Sequence, residues 1–148
     1  MDSTRHYGSA FSFEERVFRL IERIHRDSAH ISVFCDRKAQ TPSMQSVVKS
    51  NFNILDTWNR RPDSVIIDRL NKSITIVEVK ERLKGGSVDE KFAAAPYWKD
   101  YWERALIGSP LEGYSLDLFY YLCHRHNKPK LTEVFNRINL NYSFLKEK

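Results

Sequence analysis

Asp63, which follows Pro62, and fifteen positions later Glu78 and Lys80, which flank Val79, are the residues of this chain best suited to chemistry. Two carboxylates provide the oxygen donors that a small, hard divalent cation prefers, with water and substrate phosphate completing its shell. A cation held in this way polarises a phosphoryl oxygen and lowers the pKa of a bound water. An ammonium beside the acids can orient that water by hydrogen bonding. In the absence of metal the two acids repel each other, which raises at least one pKa, and Lys80 partly offsets the repulsion.

The elements around these residues must bring them together. Ser64 to Asp68 and Ser73 to Lys80 predict two strands joined by Arg69 to Lys72, one β-hairpin. A hairpin returns its far end beside its start, so Asp63 and the Glu78/Lys80 pair should share one edge of a sheet. Alternation of side chains puts Glu78 and Lys80 on one face, about 6.6–7 Å apart along the strand. Isoleucine and valine fill the intervening positions, so the sheet should be apolar on both faces there, and a carboxylate projecting from it needs a partner. The competing reading is an exposed strand end with an ordinary Glu–Lys pair, and an Asp that opens a strand after proline. Asp68 reads as a turn residue.

The rest of the chain gives a coarse order of elements. Ser12 and Glu15 form a capping-box signal that opens a helix to about His25, with Phe13, Val17, Leu20, Ile21 and Ile24 as its apolar stripe. His30 to Cys35 reads as a strand. Residues 36–61 are the least legible, and Gln45 to Trp58 fits a short helix, a strand or a loop. Ser87 and Glu90 form a second capping box, for a helix from Val88 to about Leu106 that Pro96 should kink or break near Ala95. Leu116 to Leu122 is a continuous apolar run, expected as a buried strand. A last helix spans about Leu131 to Asn139, followed by a polar tail, and residues 1–10 are expected to be disordered. A hairpin followed by a helical crossover to another strand implies an α/β (α+β) fold: a mixed β-sheet flanked by helices.

Composition sets the outer limits. The 148 residues suit a single domain, with its core over about 12–123; 41% are hydrophobic and 29% charged. The formal charge of +5 suits a polyanionic partner. No apolar stretch reaches membrane-spanning length and no signal-peptide core is visible, so no membrane partner and an intracellular location are expected. Cys35 and Cys123 form no C-x-x-C pair and read as buried, reduced thiols. His124 and His126 beside Cys123 invite a zinc reading, but no second ligand cluster accompanies them. Lys84, Gly85, Gly86 and Ser87 lead into a predicted helix N-terminus, where unpaired N–H groups can receive a phosphate. Lys84, Ser87 and Lys91 are therefore the nucleic-acid-binding candidates, with a solvated, capped loop as the alternative. Tyr97, Trp98, Tyr101 and Trp102 form two i, i+4 pairs, better suited to core or subunit packing than to stacking on bases.

Pro62 and Asp63, then Glu78, Val79 and Lys80, on a hairpin preceded by a helix and followed by a helix and a strand, resemble the PD-(D/E)xK nuclease superfamily. The likeness in element order covers about Ser12 to Cys123, and the motif five residues. It implies a restriction endonuclease-like core and a Mg²⁺-dependent endonuclease that hydrolyses DNA phosphodiester bonds, with Mn²⁺ as a substitute metal. By position, Asp63 and Glu78 would hold the ion with the backbone carbonyl of Val79, and Lys80 would act on the attacking water. Members of this superfamily often carry a further glutamate on the first helix. At about 100° per residue, Glu14 falls on the shoulder of the apolar stripe while Glu15 faces solvent, so Glu14 is the candidate. Exonuclease-type members usually show a glutamine on the helix after the motif strand, whereas the glutamines here are Gln40 and Gln45. Duplex DNA is the favoured partner, with a homodimer as one way to place two sites on opposite strands. A junction-resolving or repair nuclease, an RNA endonuclease and a catalytically inactive binding module stay open.

Overall fold

The computed structural model describes residues 11–54, 61–81 and 92–145. Five strands form one sheet in the order β1 (Ile31–Cys35), β2 (Ser64–Asp68), β3 (Ser73–Lys80), β4 (Ser115–Cys123) and β5 (Tyr142–Leu145). β1–β2 and β2–β3 pair antiparallel, while β3–β4 and β4–β5 are parallel. The sheet is therefore mixed, as the hairpin and crossover predict. Its helices are α1 (Phe13–Ile24), α2 (Met44–Asn51), α3 (Ala95–Arg104) and α4 (Pro129–Arg137).

The hairpin has the predicted strand bounds, with Ser64 opposite Val77 and Asp68 opposite Ser73. Asp68 closes its turn: Oδ1 accepts the N–H groups of Leu70 (3.1 Å) and Asn71 (3.0 Å). This is an Asx-type turn, and Lys72 completes it at φ 50°.

Strand alternation divides the core into two layers. On one face Val77 of β3 and Cys123 of β4 meet Phe13, Val17 and Ile21 of α1. On the other, Ile74, Ile76, Leu118 and Leu122 pack with Met44 and Val47 of α2, Trp102 of α3 and Phe135 of α4. Each such fully buried side chain stabilises the fold by about 1.5–3 kcal/mol relative to exposure. A helix as short as α1 is marginal alone, so this burial is what fixes its place against the sheet.

Several expectations change. Ile24 of the supposed apolar stripe is 58% exposed, and Phe18 is buried instead. Ile24 is the last residue of the helix. The break expected near Ala95 holds: a turn at Ala94 separates helical residues 92–93 from α3, and Pro96 occupies the first turn of α3, where its missing N–H costs nothing. The illegible 36–61 segment holds α2, capped by Ser43, whose Oγ accepts the N–H of Ser46 at 3.2 Å. The run Leu116 to Leu122 is less uniformly buried than expected, because Asp117 is exposed and Phe119 and Tyr121 are half-buried. The polar tail contains β5, and the core extends beyond Cys123 to Phe135 and Leu140. Its aromatic rings form a continuous contact, Phe92 to Phe135 at 5.0 Å and Phe135 to Tyr142 at 5.1 Å. Of the α3 aromatics, Trp102 is buried and Tyr97 is 62% exposed. Cys35 and Cys123 are both free and buried. No helix among the described residues is long and apolar enough to cross a membrane. The expectations for residues 1–10, the Ser87–Glu90 capping box, Lys84, Ser87 and Lys91 all lie outside the described residues.

Candidate active site

Asp63 sits at the mouth of the sheet, immediately before β2. Its N–H donates to the Val77 carbonyl at 3.1 Å, and its Oδ2 accepts the Val79 N–H at 2.7 Å. Backbone and side chain together therefore grip β3 on both sides of Glu78, which makes Asp63 and Glu78 neighbours across paired strands. The Asp63 carbonyl is held in turn by the N–H of Asp36 at 2.9 Å, which extends the β1–β2 ladder by one step. Val79, expected to contribute its carbonyl, meets Asp63 through its N–H.

Glu14 reaches the same point from the first turn of α1. It shares a hydrogen bond with the Asp63 carboxyl. Burial, then the charge of Asp63 and that hydrogen bond, then the charges of Asp36 and Glu15, push the Glu14 carboxyl up to about 7. Burial also raises Asp63, against the Val79 hydrogen bond and the Lys80 charge, both of which favour its ionised form. Burial and mutual repulsion therefore favour one proton between the two carboxyls. Glu14 as a whole residue is exposed, so its shielding is one-sided and its energetic cost is screened.

Glu78 and Lys80 share the parity of Ile74 and Ile76 and belong to the α2–α3–α4 side of the sheet. The Lys80 ammonium lies 3.7 Å from the Glu78 carboxylate, with the two side chains 42% and 19% exposed. The structure thus brings Glu14 onto Asp63 and Lys80 onto Glu78. Among the described residues, no three His, Cys, Asp or Glu side chains gather closely enough to hold a metal ion as they stand. That applies to the zinc reading as well; His126 instead bonds the Glu81 carbonyl at 2.8 Å.

Two contributors escaped the sequence reading. Asp36 adds a further negative charge beside Glu14 and Asp63, and it is itself paired with Arg61 at 3.3 Å. Arg37, next to it, binds two glutamates of α1. Both follow a strand whose pairing with β2 is not encoded in any local motif. The signal the sequence offered was their position one and two residues past the apolar run that ends at Cys35.

A cleft of about 750 Å³ opens over these groups, lined by Glu14, Asp36, Asp63, Lys38, Arg61 and the first turn of α2. A second cavity of about 330 Å³, between α3 and the α4–β5 turn, is lined by Lys99, Asp117 and the amides of Asn139 and Asn141. It presents one carboxylate and no acid pair. The larger cleft is the better candidate because it combines oxygen donors under mutual repulsion with cations at its rim.

No protein-family model matches the chain, and no curated protein matches it. Among solved structures the chain is similar to MunI restriction endonuclease in complex with cognate DNA, at 16% sequence identity and a TM-score of 0.47. The likeness covers 94% of this chain and 82% of that one. A similarity of this depth says nothing about chemistry, which must be argued from the site's own residues.

Proposed function

We propose that the protein is a Mg²⁺-dependent endonuclease that hydrolyses phosphodiester bonds, with DNA as its substrate. The observation that carries this reading is the carboxyl pair of Glu14 and Asp63, forced together at the end of the strand that bears Glu78 and Lys80. Two facing acids, one of them raised to about 7, can lose a proton to solvent as a cation takes its place between them. Their oxygen donors, open to a solvent-filled cleft, match what Mg²⁺ takes from proteins.

Asp63 and Glu78 would hold the ion with Glu14 beside them, and a bound Mg²⁺ would supply phosphoryl polarisation and a more acidic water. The chain's own residues do the rest. Asp63 is immobilised by its bonds to Val77 and Val79, so its carboxylate needs no reordering on binding. Lys80, anchored to Glu78, offers a positive charge to the attacking water or to the phosphate. Lys38 and Arg61 at the cleft rim and the overall +5 charge favour a polyanion.

The test incubates the protein with plasmid, branched DNA and RNA, each with Mg²⁺, Mn²⁺ or EDTA. Metal-dependent cutting of plasmid is expected. Lys80→Ala and Glu78→Ala should each reduce it by about 10²–10⁴-fold while leaving the unfolding transition cooperative. Preference for branched DNA or RNA would move the reading to a structure-specific nuclease or a ribonuclease. Binding without cutting, unchanged in both variants, would leave a non-catalytic module and end the proposal.

A further inference from the structure

The guanidinium of Arg37 makes four charged hydrogen bonds to one helix. Nε and Nη2 donate to Glu15 at 2.9 and 2.8 Å, and Nη1 and Nη2 donate to Glu22 at 2.6 and 3.0 Å. The two glutamates lie seven residues apart, two turns along one face of α1, and the rigid fork of arginine spans them. The same guanidinium lies 5.2 Å from the centroid of the Phe18 ring, between them on the helix. A helix gripped at two points a turn apart on either side of an aromatic ring can neither rotate about its axis nor slide along it.

What this grip fixes is the position of Glu14, the residue before Glu15. The other end of the strap is equally defined. Asp36, adjacent to Arg37, donates its N–H to the Asp63 carbonyl at 2.9 Å. Two consecutive residues therefore tie the element bearing one carboxylate to the backbone of the other.

We propose that Arg37 is a positioning residue of this site, setting the separation of the Glu14 and Asp63 carboxyls and through it the affinity for a divalent cation. The inference rests on the metal-dependent reading above. It makes a prediction of opposite sign to simple electrostatics. Deleting a positive charge near a cation site should by Coulomb's law strengthen cation binding. Loss of a positioning group should weaken it, by about tenfold to a hundredfold, as for other residues that orient metal ligands.

The experiment titrates Mn²⁺ into the metal-free full-length protein by calorimetry, alongside thermal unfolding of the same samples. Arg37→Ala is expected to bind Mn²⁺ at least tenfold more weakly, and Arg37→Lys, which can engage only one glutamate well, to fall between it and wild type. Arg37→Lys, which keeps the positive charge and so should change nothing by electrostatics alone, decides the matter if Arg37→Ala does not fold. Arg104→Ala, which removes an exposed helical pair with Asp100 (2.7 Å), is the charge-matched control and should change nothing. Equal or tighter Mn²⁺ binding by both Arg37 variants, beside a wild type that binds, overturns this inference alone, even if they melt earlier. A wild type that takes up no Mn²⁺ overturns the metal reading and this inference with it.

Discussion

Replacing Asp63 by asparagine should make the metal-free protein more stable at alkaline pH while removing its function. The amide oxygen can still accept the Val79 N–H, now 2.7 Å from Oδ2, and the amide nitrogen can donate to Glu14. The substitution thus keeps the hydrogen bonds and deletes one of two facing charges. Glu14 is raised from 4.5 to about 7 in the folded protein. A group raised on folding contributes stability that is fully present below its unfolded pKa and is lost as pH climbs through its folded pKa. The wild type without metal should therefore weaken between pH 4.5 and about 7. Fully shielded, such a carboxyl would cost roughly 3 kcal/mol at alkaline pH. Glu14 is exposed on one side, and screening leaves about 1 kcal/mol. Burial, the largest cause, remains in Asp63→Asn, so the variant recovers roughly half of that, equivalent to about 1–2 °C in Tm for a domain of this size.

Thermal unfolding in EDTA at acid and alkaline pH is the assay. The variant should melt above wild type at the alkaline end, with the gap closing as pH falls below the Glu14 transition. Mg²⁺ should reverse the order: a ligand at about ten times its Kd adds about 1.4 kcal/mol to the protein that binds it. A variant that melts below wild type in EDTA at alkaline pH would refute the reasoning. It would show that Asp63 serves as an ordinary buried acceptor and that no repulsion is stored between the acids.

Two further outcomes test the fold around the site. Burial pushes the Cys35 thiol up to about 11, so it should stay protonated and resist aromatic disulfide reagents in the native state at neutral pH, reacting only as fast as the protein opens. Stoichiometric reaction faster than unfolding would contradict its placement. Phe135→Ala removes a fully buried ring in contact with Phe92 and Tyr142 and should cost about 3–5 kcal/mol in urea unfolding. A loss below about 1 kcal/mol, the level of an ordinary surface change, would show that the segment after Cys123 is not part of the core.

The hairpin was legible because its code is local. Consecutive β-branched residues on either side of an Asx-type turn at Asp68 specify both strands without help from the rest of the chain. The same holds for α1, whose Ser12 cap accepts the Glu15 N–H at 3.0 Å. Helical phase alone pointed to Glu14 rather than Glu15 as the inward acid. Glu15 is not the solvent-facing group that phase implied; Arg37 claims it across a separation of 22 residues. The β5 strand was missed because its alternation is too short to stand out, and α2 was left undecided among helix, strand and loop because its apolar face is narrow and its cap lies in a polar stretch.

The amino-acid order by itself determined which acids and which lysine exist, the hairpin that spaces them, and the helix phase that offers Glu14, because these follow from periodicities of two and 3.6 residues. Tertiary structure decided which acids touch. It paired Glu14 with Asp63 and turned Glu78 toward Lys80, and it brought Asp36 and Arg37 to the site. The reason is physical: electrostatic coupling falls off within a few ångströms, and only the packing of α1 and β1 against the hairpin sets distances on that scale.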